Sequence, residues 1–313
     1  MKARASSWRR RAGARAARVA RVAIAAITAI APAALVATIA MAAVAAPALA
    51  QESSRQALRA DLREEVLAIR KPGFLGAELE TTLYRPPGDG PFPLVVVNHG
   101  KASGNPRFQE RARFGVAAAE LVHRGYAVVI PMRQGFSKSS GSYIGGGCNV
   151  ESNGRAQAED VAATIAEMAK RPDIDARRVV VFGQSHGGLT TMAVGALELP
   201  NVVGLVNFSG GLRQENCSAW EAGLASAMAE YARRTQVPSL WFYGDNDSYF
   251  APAVWRRMHE EYVGAGGRAR LVAFGPFGTD SHTMFFSARG PAIWLPEVEA
   301  FFKELGLPFE LQP

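Results

Sequence analysis

The first 50 residues of this 313-residue chain contain no aspartate and no glutamate, although eight of them are lysine or arginine. Without those eight, the chain's 35 basic residues fall to 27, against 28 acidic residues. The net charge of residues 51–313 is therefore near −1, although that of the whole chain is +7. A nucleic-acid partner requires a basic surface that this body lacks in net terms, so that function class is excluded.

The basic start of the chain leads into an uncharged, alanine-rich stretch from Val22 to Ala46, followed by Ala48-Leu49-Ala50. This pattern predicts a secretory signal peptide over residues 1–50, cleaved before Gln51. The protein would then be exported to the periplasm or secreted, and would touch the membrane only transiently. A retained anchor is the alternative, because about 20 apolar residues can span a bilayer. The cleavage site and Pro32 favour removal of the segment.

Cysteine is scarce as well, since Cys148 and Cys217 are the only two in the chain. Neither has the C-x-x-C spacing of redox motifs or zinc sites, so both of those chemistries lack support. A lone pair of cysteines in an exported protein favours a disulfide over two free thiols. We therefore predict one disulfide between them, at the rim of the active site.

The 263 residues after the predicted signal suit one α/β domain with a full core. We expect residues 51–75 to form an N-terminal helical lead-in, with an exposed, charged helix over Glu52 to Arg70. We expect residues 76–313 to form the domain itself. From Pro93 onward, helical patterns alternate with short runs rich in β-branched residues. This alternation predicts a mainly parallel central sheet with helices on both faces.

The segment Gly183-Gln184-Ser185-His186-Gly187 closes a strand-like run and opens a helical run of small residues. This is the G-x-S-x-G pattern at a strand-to-helix turn, where a serine hydroxyl is held clear of the backbone. Side chains at the flanking glycines would collide with the strand or the helix. The context predicts that Ser185 is a nucleophile.

A serine nucleophile needs a base, and only five histidines are available. His99 ends a strand and His186 follows the nucleophile, so both are placed for backbone roles. His123 and His259 fall within predicted helices. His282 lies in a loop after the last strand, at the carboxyl edge where open α/β sheets place their sites, and is the predicted base.

The base needs an acid to orient it, and the turn Gly244-Asp245-Asn246-Asp247 offers two carboxylates. The fourth position of such a turn points back toward the histidine loop, which favours Asp247. Asp245 fits a local Asx turn better. A metal site is not supported, because neither a third ligand nor an EF-hand glycine follows the pair.

The order Ser185, Asp247, His282 is that of α/β-hydrolases. In that fold the oxyanion hole uses the backbone amide after the nucleophile, here that of His186. The second amide comes from an H-G-x loop, here His99-Gly100-Lys101, so the amide of Lys101 is the second expected donor. Arg133 and Tyr143 follow a central strand and either line the pocket or are structural.

The chain resembles the dienelactone-hydrolase-like group of α/β-hydrolases, which includes exported bacterial members. The resemblance runs from about Gly76 to Leu305 and rests on five segments: 95–100, 133–137, 183–188, 244–247 and 280–282. Dienelactone hydrolases use a cysteine nucleophile, whereas this chain has Ser185. The resemblance therefore implies the α/β-hydrolase fold and a general carboxylesterase rather than a lactone hydrolase.

We interpret the chain as a serine hydrolase that cleaves small or medium carboxylic esters through an acyl-enzyme, without a cofactor or a metal. Two other classes stay open. One is a serine peptidase resembling prolyl oligopeptidase, although those enzymes usually carry a large extra domain. The other is a catalytically silent member of the fold that acts as a binding protein.

Overall fold

The computed structural model describes residues 57–73, 76–214 and 216–312. The predicted signal peptide and the first part of the predicted lead-in lie outside these residues. No helix in the described part of the chain combines the length and the apolarity needed to cross a bilayer.

Eight strands form a single sheet in the described part of the chain. They are Glu65–Arg70 (β1), Glu78–Tyr84 (β2), Phe92–Asn98 (β3), Ala127–Pro131 (β4), Ile174–Gln184 (β5), Val202–Phe208 (β6), Ser239–Tyr243 (β7) and Ala269–Ala273 (β8). Their order across the sheet is β1-β2-β4-β3-β5-β6-β7-β8. β2 runs antiparallel to β1 and β4, and every pair from β4 to β8 is parallel.

Helices cover both faces of the sheet. They are Gly115–Val122 (α1), Val150–Met168 (α2), His186–Gly195 (α3), Trp220–Ala232 (α4), Pro252–Gly264 (α5) and Pro291–Glu304 (α6). One buried hydrophobic cluster joins one face of the sheet to α2, α3, α4 and α5, and a second joins the other face to α1 and α6. Leu94 and Val96 of β3 belong to the first cluster, and Val95 and Val97 to the second. This burial on both faces explains the continuous apolar run of that strand.

The predicted α/β-hydrolase architecture is confirmed, but the lead-in was predicted incorrectly. The expected helix over Glu52 to Arg70 is, within the described residues, one 3-10 turn at Ala60–Leu62 followed by strand β1. Pairing with the edge of β2 decides the outcome, because its backbone groups are otherwise unpaired. The alternating burial of Leu67 and Ile69 with exposed Val66 fits a strand better than a helix.

Between Ser209 and Ser239, a stretch long enough for a small lid, the described residues form a loop and then α4. That helix packs on α2 and α5 as the crossover connection from β6 to β7. It is therefore part of the layered core, and only the loop before it borders the carboxyl edge of the sheet.

Candidate active site

Ser185 occupies a sharp turn between β5 and α3. Its backbone angles are φ 57° and ψ −124°, a conformation that costs a non-glycine residue about 1–3 kcal/mol. A Cβ on Gly187 would lie 2.0 Å from the carbonyl oxygen of Asn98, and one on Gly183 would lie 2.1 Å from that of Gly187. Both glycines are therefore required by close backbone contacts. The amide of Ser185 donates to the carbonyl of Phe208 at 3.0 Å, which fixes the turn against β6.

The structure brings Asp247 and His282 together at the same edge of the sheet. Nδ1 of His282 lies 3.0 Å from Oδ2 and 3.1 Å from Oδ1 of Asp247. An ionised carboxylate only accepts hydrogen bonds, so Nδ1 carries the proton and Nε2 is left with a lone pair. Oδ1 of Asp247 also accepts from the amides of Tyr249 and Phe250, at 2.8 and 3.0 Å. These bonds fix the carboxylate, whose side chain is fully buried.

Asp245 has different surroundings from Asp247. Its carboxylate is about half exposed and lies 3.8 Å from the guanidinium of Arg256. Asn246, between the two, binds the histidine loop: its side chain accepts from the amide of Phe277 and donates to the carbonyl of Gly278. Of these three turn residues, only Asp247 at the fourth position forms a hydrogen bond with the side chain of His282.

Asp280 ties the acid loop to the histidine loop, a role that the sequence did not reveal. Its Oδ1 accepts from the amide of His282 at 2.9 Å and from that of Ser248 at 3.1 Å. Its Oδ2 accepts from the Ser248 hydroxyl at 2.6 Å. Burial opposes the charged form, but these hydrogen bonds outweigh it and hold the pKa of Asp280 below its usual range. A side chain that joins the two loops in this way fixes the distance between the acid and the base.

The loop after β3 runs against the nucleophile turn. A Cβ on Gly100 would lie 3.2 Å from that of Ser185, so a glycine lets the two segments approach. Gln109 anchors this loop, accepting from the amide of Ala102 at 2.8 Å and donating to the carbonyl of Gly100 at 3.2 Å. Within the described residues, the amides of Lys101 and His186 donate no hydrogen bond. Both proposed oxyanion donors are therefore available.

His99 and His186 are buried, and the guanidinium of Arg133 contacts the carbonyl of the first and the ring of the second. His99 accepts from the backbone amide of Arg133 through Nε2, so its Nδ1 is the protonated nitrogen and donates to the carbonyl of Gly100. Burial, reinforced by the Arg133 charge, holds the pKa of each histidine well below its usual range. Arg133 is itself fully buried, so it does not line the pocket.

A cleft of about 310 Å³ opens beside Ser185. Its walls come from the loops after β3, β4, β6 and β7, and include Tyr143, Leu212, Tyr249 and Phe250. The ring of Tyr249 lies 4.5 Å from that of His282, measured between centroids. A larger cavity of about 580 Å³ lies at the amino ends of β6 and β7, away from these side chains.

The predicted disulfide joins Cys148 to Cys217, with their Cα atoms 5.7 Å apart. It connects the loop that carries Tyr143 to the loop that carries Leu212, which form two walls of the cleft. The side chain of Gln214 strengthens this junction by donating to the carbonyl of Gly147 at 2.6 Å. In the described part of the chain, no group of three or more His, Cys, Asp or Glu side chains is arranged to hold a metal ion.

The model of the X-Pro dipeptidyl-peptidase (S15) family matches residues 76–241. That match includes the nucleophile turn and ends before Asp247 and His282.

Three solved structures are similar to the chain over most of its length. An acylaminoacyl peptidase from Pyrococcus horikoshii shares 15% identity with a TM-score of 0.59, covering 80% of this chain and 42% of that one. A putative dienelactone hydrolase from Klebsiella pneumoniae shares 20% identity with a TM-score of 0.56, covering 77% of this chain and 99% of that one. An esterase from Pyrococcus furiosus shares 16% identity with a TM-score of 0.55, covering 78% of this chain and 94% of that one. The chain thus spans about two fifths of the peptidase but nearly the full length of the other two.

Proposed function

We propose, from the premise that the chain belongs to the X-Pro dipeptidyl-peptidase (S15) family of α/β-hydrolases, that it is a serine hydrolase acting on compact carboxylic esters. The observation that carries this proposal is the 3.0 Å contact between His282 and Asp247 at the sheet edge that presents Ser185. These are the three residue types that activate a serine hydroxyl.

In the proposed reaction, Oγ of Ser185 adds to the ester carbonyl carbon while Nε2 of His282 takes its proton. The amides of Lys101 and His186 stabilise the resulting oxyanion, each contributing about 3 kcal/mol. The protonated imidazole, stabilised by Asp247, then gives its proton to the leaving alcohol as the C–O bond breaks. Water repeats the sequence on the acyl-enzyme and releases the acid.

Two features support an ester over a peptide. The cleft of about 310 Å³ suits a compact substrate. Its described lining includes the cations Lys101 and Arg213 but no carboxylate that would hold the amino terminus of a peptide. An alkoxide also leaves more readily than an amine.

A peptidase is the second candidate, and the family match is the observation that favours it. The deciding experiment compares kcat/KM for a p-nitrophenyl ester and for an Xaa-Pro p-nitroanilide, with Ser185→Ala as the blank. The proposal expects turnover of the ester only. Turnover of the anilide at least as fast as that of the ester would replace it with the peptidase.

A fluorophosphonate probe separates both enzymes from a silent binding protein. An activated serine reacts with the probe, so the proposal expects labelling of the wild type at Ser185. An unlabelled, folded wild type without turnover would support the binding protein instead.

The disulfide supports the further proposal that the protein is exported, because such bonds persist in oxidising compartments. The proposed mature chain begins at or near Gln51. Amino-terminal sequencing of material from the cell envelope tests this, and a full-length species confined to membranes would support the retained anchor instead.

A further inference from the structure

One guanidinium nitrogen connects the two chain segments that carry the proposed oxyanion donors. Nη2 of Arg133 donates to the carbonyl oxygen of His99 at 2.7 Å, one peptide unit before the amide of Lys101. The same nitrogen contacts Nδ1 of His186 at 3.1 Å, and His186 supplies the other amide. A displacement of this nitrogen would therefore move both donors.

The hydrogen-bond network around Arg133 assigns the proton positions. Arginine only donates, so Nδ1 of His186 accepts and its Nε2 donates to Oδ1 of Asn153 at 2.7 Å. The side-chain nitrogen of Asn153, Nδ2, lies within hydrogen-bond distance of the Tyr143 hydroxyl and of the carbonyls of Ile144 and Gly145, and donates to them. The network thus runs without interruption from Arg133 to a wall of the cleft.

Arg133 is itself held from several sides. Its Nε donates to Oε1 of Gln157 at 3.1 Å, its backbone amide donates to Nε2 of His99, and its guanidinium lies 5.3 Å from the centroid of Phe136. These contacts fix the orientation of the planar guanidinium. That orientation aims Nη2 at the two segments.

The environment of Arg133 is unfavourable for a residue with a purely structural role. The side chain is fully buried, no carboxylate within the described residues pairs with it, and its Nη1 has no hydrogen-bond partner there. Burial lowers its pKa to about 10, although the negative charge of Asp160 acts in the opposite direction without a direct ion pair. A buried cation without a direct counter-charge destabilises a fold, and an apolar side chain of similar volume would avoid that cost. The guanidinium does, however, contact the carbonyl of His99 and the ring of His186, so its positive charge lies beside the two segments whose amides would bind the oxyanion.

We infer that Arg133 is a positioning residue that sets the oxyanion hole of the proposed hydrolase and supports its developing charge. The inference rests on the proposed function. Arg133 touches neither the substrate nor Ser185, and acts through His99 and His186.

The test uses two variants of the full mature chain. Arg133→Gln removes the charge and the guanidinium, whereas Arg133→Lys keeps the charge but loses the rigid planar group and its Nε bond to Gln157. Arg177→Gln is the matched control. Arg177 is an exposed arginine near the start of β5, whereas Ser185 follows the end of that strand. Fluorophosphonate titration of Ser185 counts the competent molecules, so that kcat refers to folded enzyme only.

For ester hydrolysis we expect Arg133→Gln to lower kcat about 100-fold and Arg133→Lys about 10-fold, since loss of one oxyanion donor costs 10²–10³. KM should stay within about threefold of wild type, and the control should be unchanged. The affinity for phenylboronic acid, whose tetrahedral adduct with serine places a hydroxyl in the oxyanion hole, should fall in parallel with kcat.

Unchanged kcat per titrated serine in both variants would overturn the inference, as would a loss confined to KM or to the fraction of folded enzyme. If Arg133→Gln does not fold, Arg133→Lys decides alone by the same criteria. A wild type that neither reacts with the fluorophosphonate nor turns over an ester would instead refute the proposed function, which keeps the two failures distinguishable.

Discussion

Nδ1 of His282 lies 3.0 Å from Oδ2 of Asp247, although 35 residues separate them in the chain. The contact forms because β7 and β8 are parallel neighbours, so the loops that follow them leave the sheet at the same edge. Asp245, two residues earlier on the same turn, is directed to the surface, where Arg256 lies 3.8 Å away. Asp245→Asn is therefore a matched control for Asp247→Asn.

Asp247→Asn should lower kcat for ester hydrolysis by about 10⁴, because an amide favours the wrong tautomer of His282. Asp245→Asn should change kcat less than about threefold, since a half-exposed ion pair contributes little. Steady-state kinetics on both variants measures the ranking. If Asp245→Asn were the more damaging substitution, the acid would have been assigned to the wrong carboxylate.

Ser185→Ala should lower kcat by at least four orders of magnitude, on the order of what removing a nucleophile costs in other serine hydrolases. The free energy of unfolding should change by no more than about 0.5 kcal/mol, because the change removes one hydroxyl at the wall of the cleft and leaves the backbone bonds of the turn in place. Fluorophosphonate labelling and urea unfolding measure the two effects. A variant that still labels would show that another nucleophile is present.

The strand and helix pattern after Pro93 could be predicted because each element there has its own periodicity and lies next to its neighbour along the chain. Strands β6 and β7, for example, are two of the short runs that alternate with helical patterns along the chain. Strand β1 could not be predicted, since its pairing with β2 is a tertiary contact that local composition does not encode. The sequence-based assignment of Ser185, Asp247 and His282 stays a prediction that the kinetics must test.

Gln109, Asn153 and Asp280 were missed for a common reason. Each contributes through a hydrogen bond to a group elsewhere in the chain, 7 residues away for Gln109, 33 for Asn153 and 32 for Asp280, and a polar residue in a loop or on a helix gives no sign of that partner. Asp280 was visible in the segment before His282, but nothing in the pattern linked it to Ser248. Long-range polar contacts of this kind appear only once the topology is known.

Loss of the Cys148–Cys217 bond should destabilise the protein by about 2–4 kcal/mol, because it closes a long loop in the unfolded chain. The double variant Cys148→Ser/Cys217→Ser tests this by urea unfolding, with reduced wild type as the comparison. KM for the ester should also rise, since Tyr143 and Leu212 on the joined loops line the cleft. Alkylation and mass spectrometry that found two free thiols in unreduced wild type would contradict the bond itself.

The stability of the fold should fall as the pH drops below about 6.5. His99 and His186 are buried, and burial places the pKa of each well below the 6.5 that it has in the unfolded chain. Above pH 6.5 both histidines are neutral in the folded and in the unfolded chain, so their protonation takes nothing from the free energy of unfolding. Below pH 6.5 the unfolded chain binds protons at these histidines and the folded protein does not. Each histidine therefore lowers the free energy of unfolding by up to about 1.4 kcal/mol per pH unit.

Urea unfolding between pH 4.5 and 8 measures this slope. His99→Gln should flatten it, whereas His123→Gln, at an exposed position, should leave the slope unchanged. Equal slopes in wild type and His99→Gln would contradict the buried neutral state of His99.

Asp280→Ala should lower kcat for ester hydrolysis about 10- to 100-fold, although Asp280 makes no hydrogen bond to the side chain of Asp247 or of His282 within the described residues. Its carboxylate holds the amide of His282 and both the amide and the hydroxyl of Ser248, so its loss frees the base loop from the acid loop. A misplacement of a catalytic group by about 1 Å can cost 10² in rate.

Ser248→Ala is the control variant. It removes only the 2.6 Å hydroxyl contact and leaves the bond between Asp280 and the amide of His282, so kcat should fall less than in Asp280→Ala. Steady-state kinetics on both variants, with kcat referred to titrated serine, gives the comparison. If Ser248→Ala cost as much as Asp280→Ala, the hydroxyl rather than the amide of His282 would be the contact that positions the base.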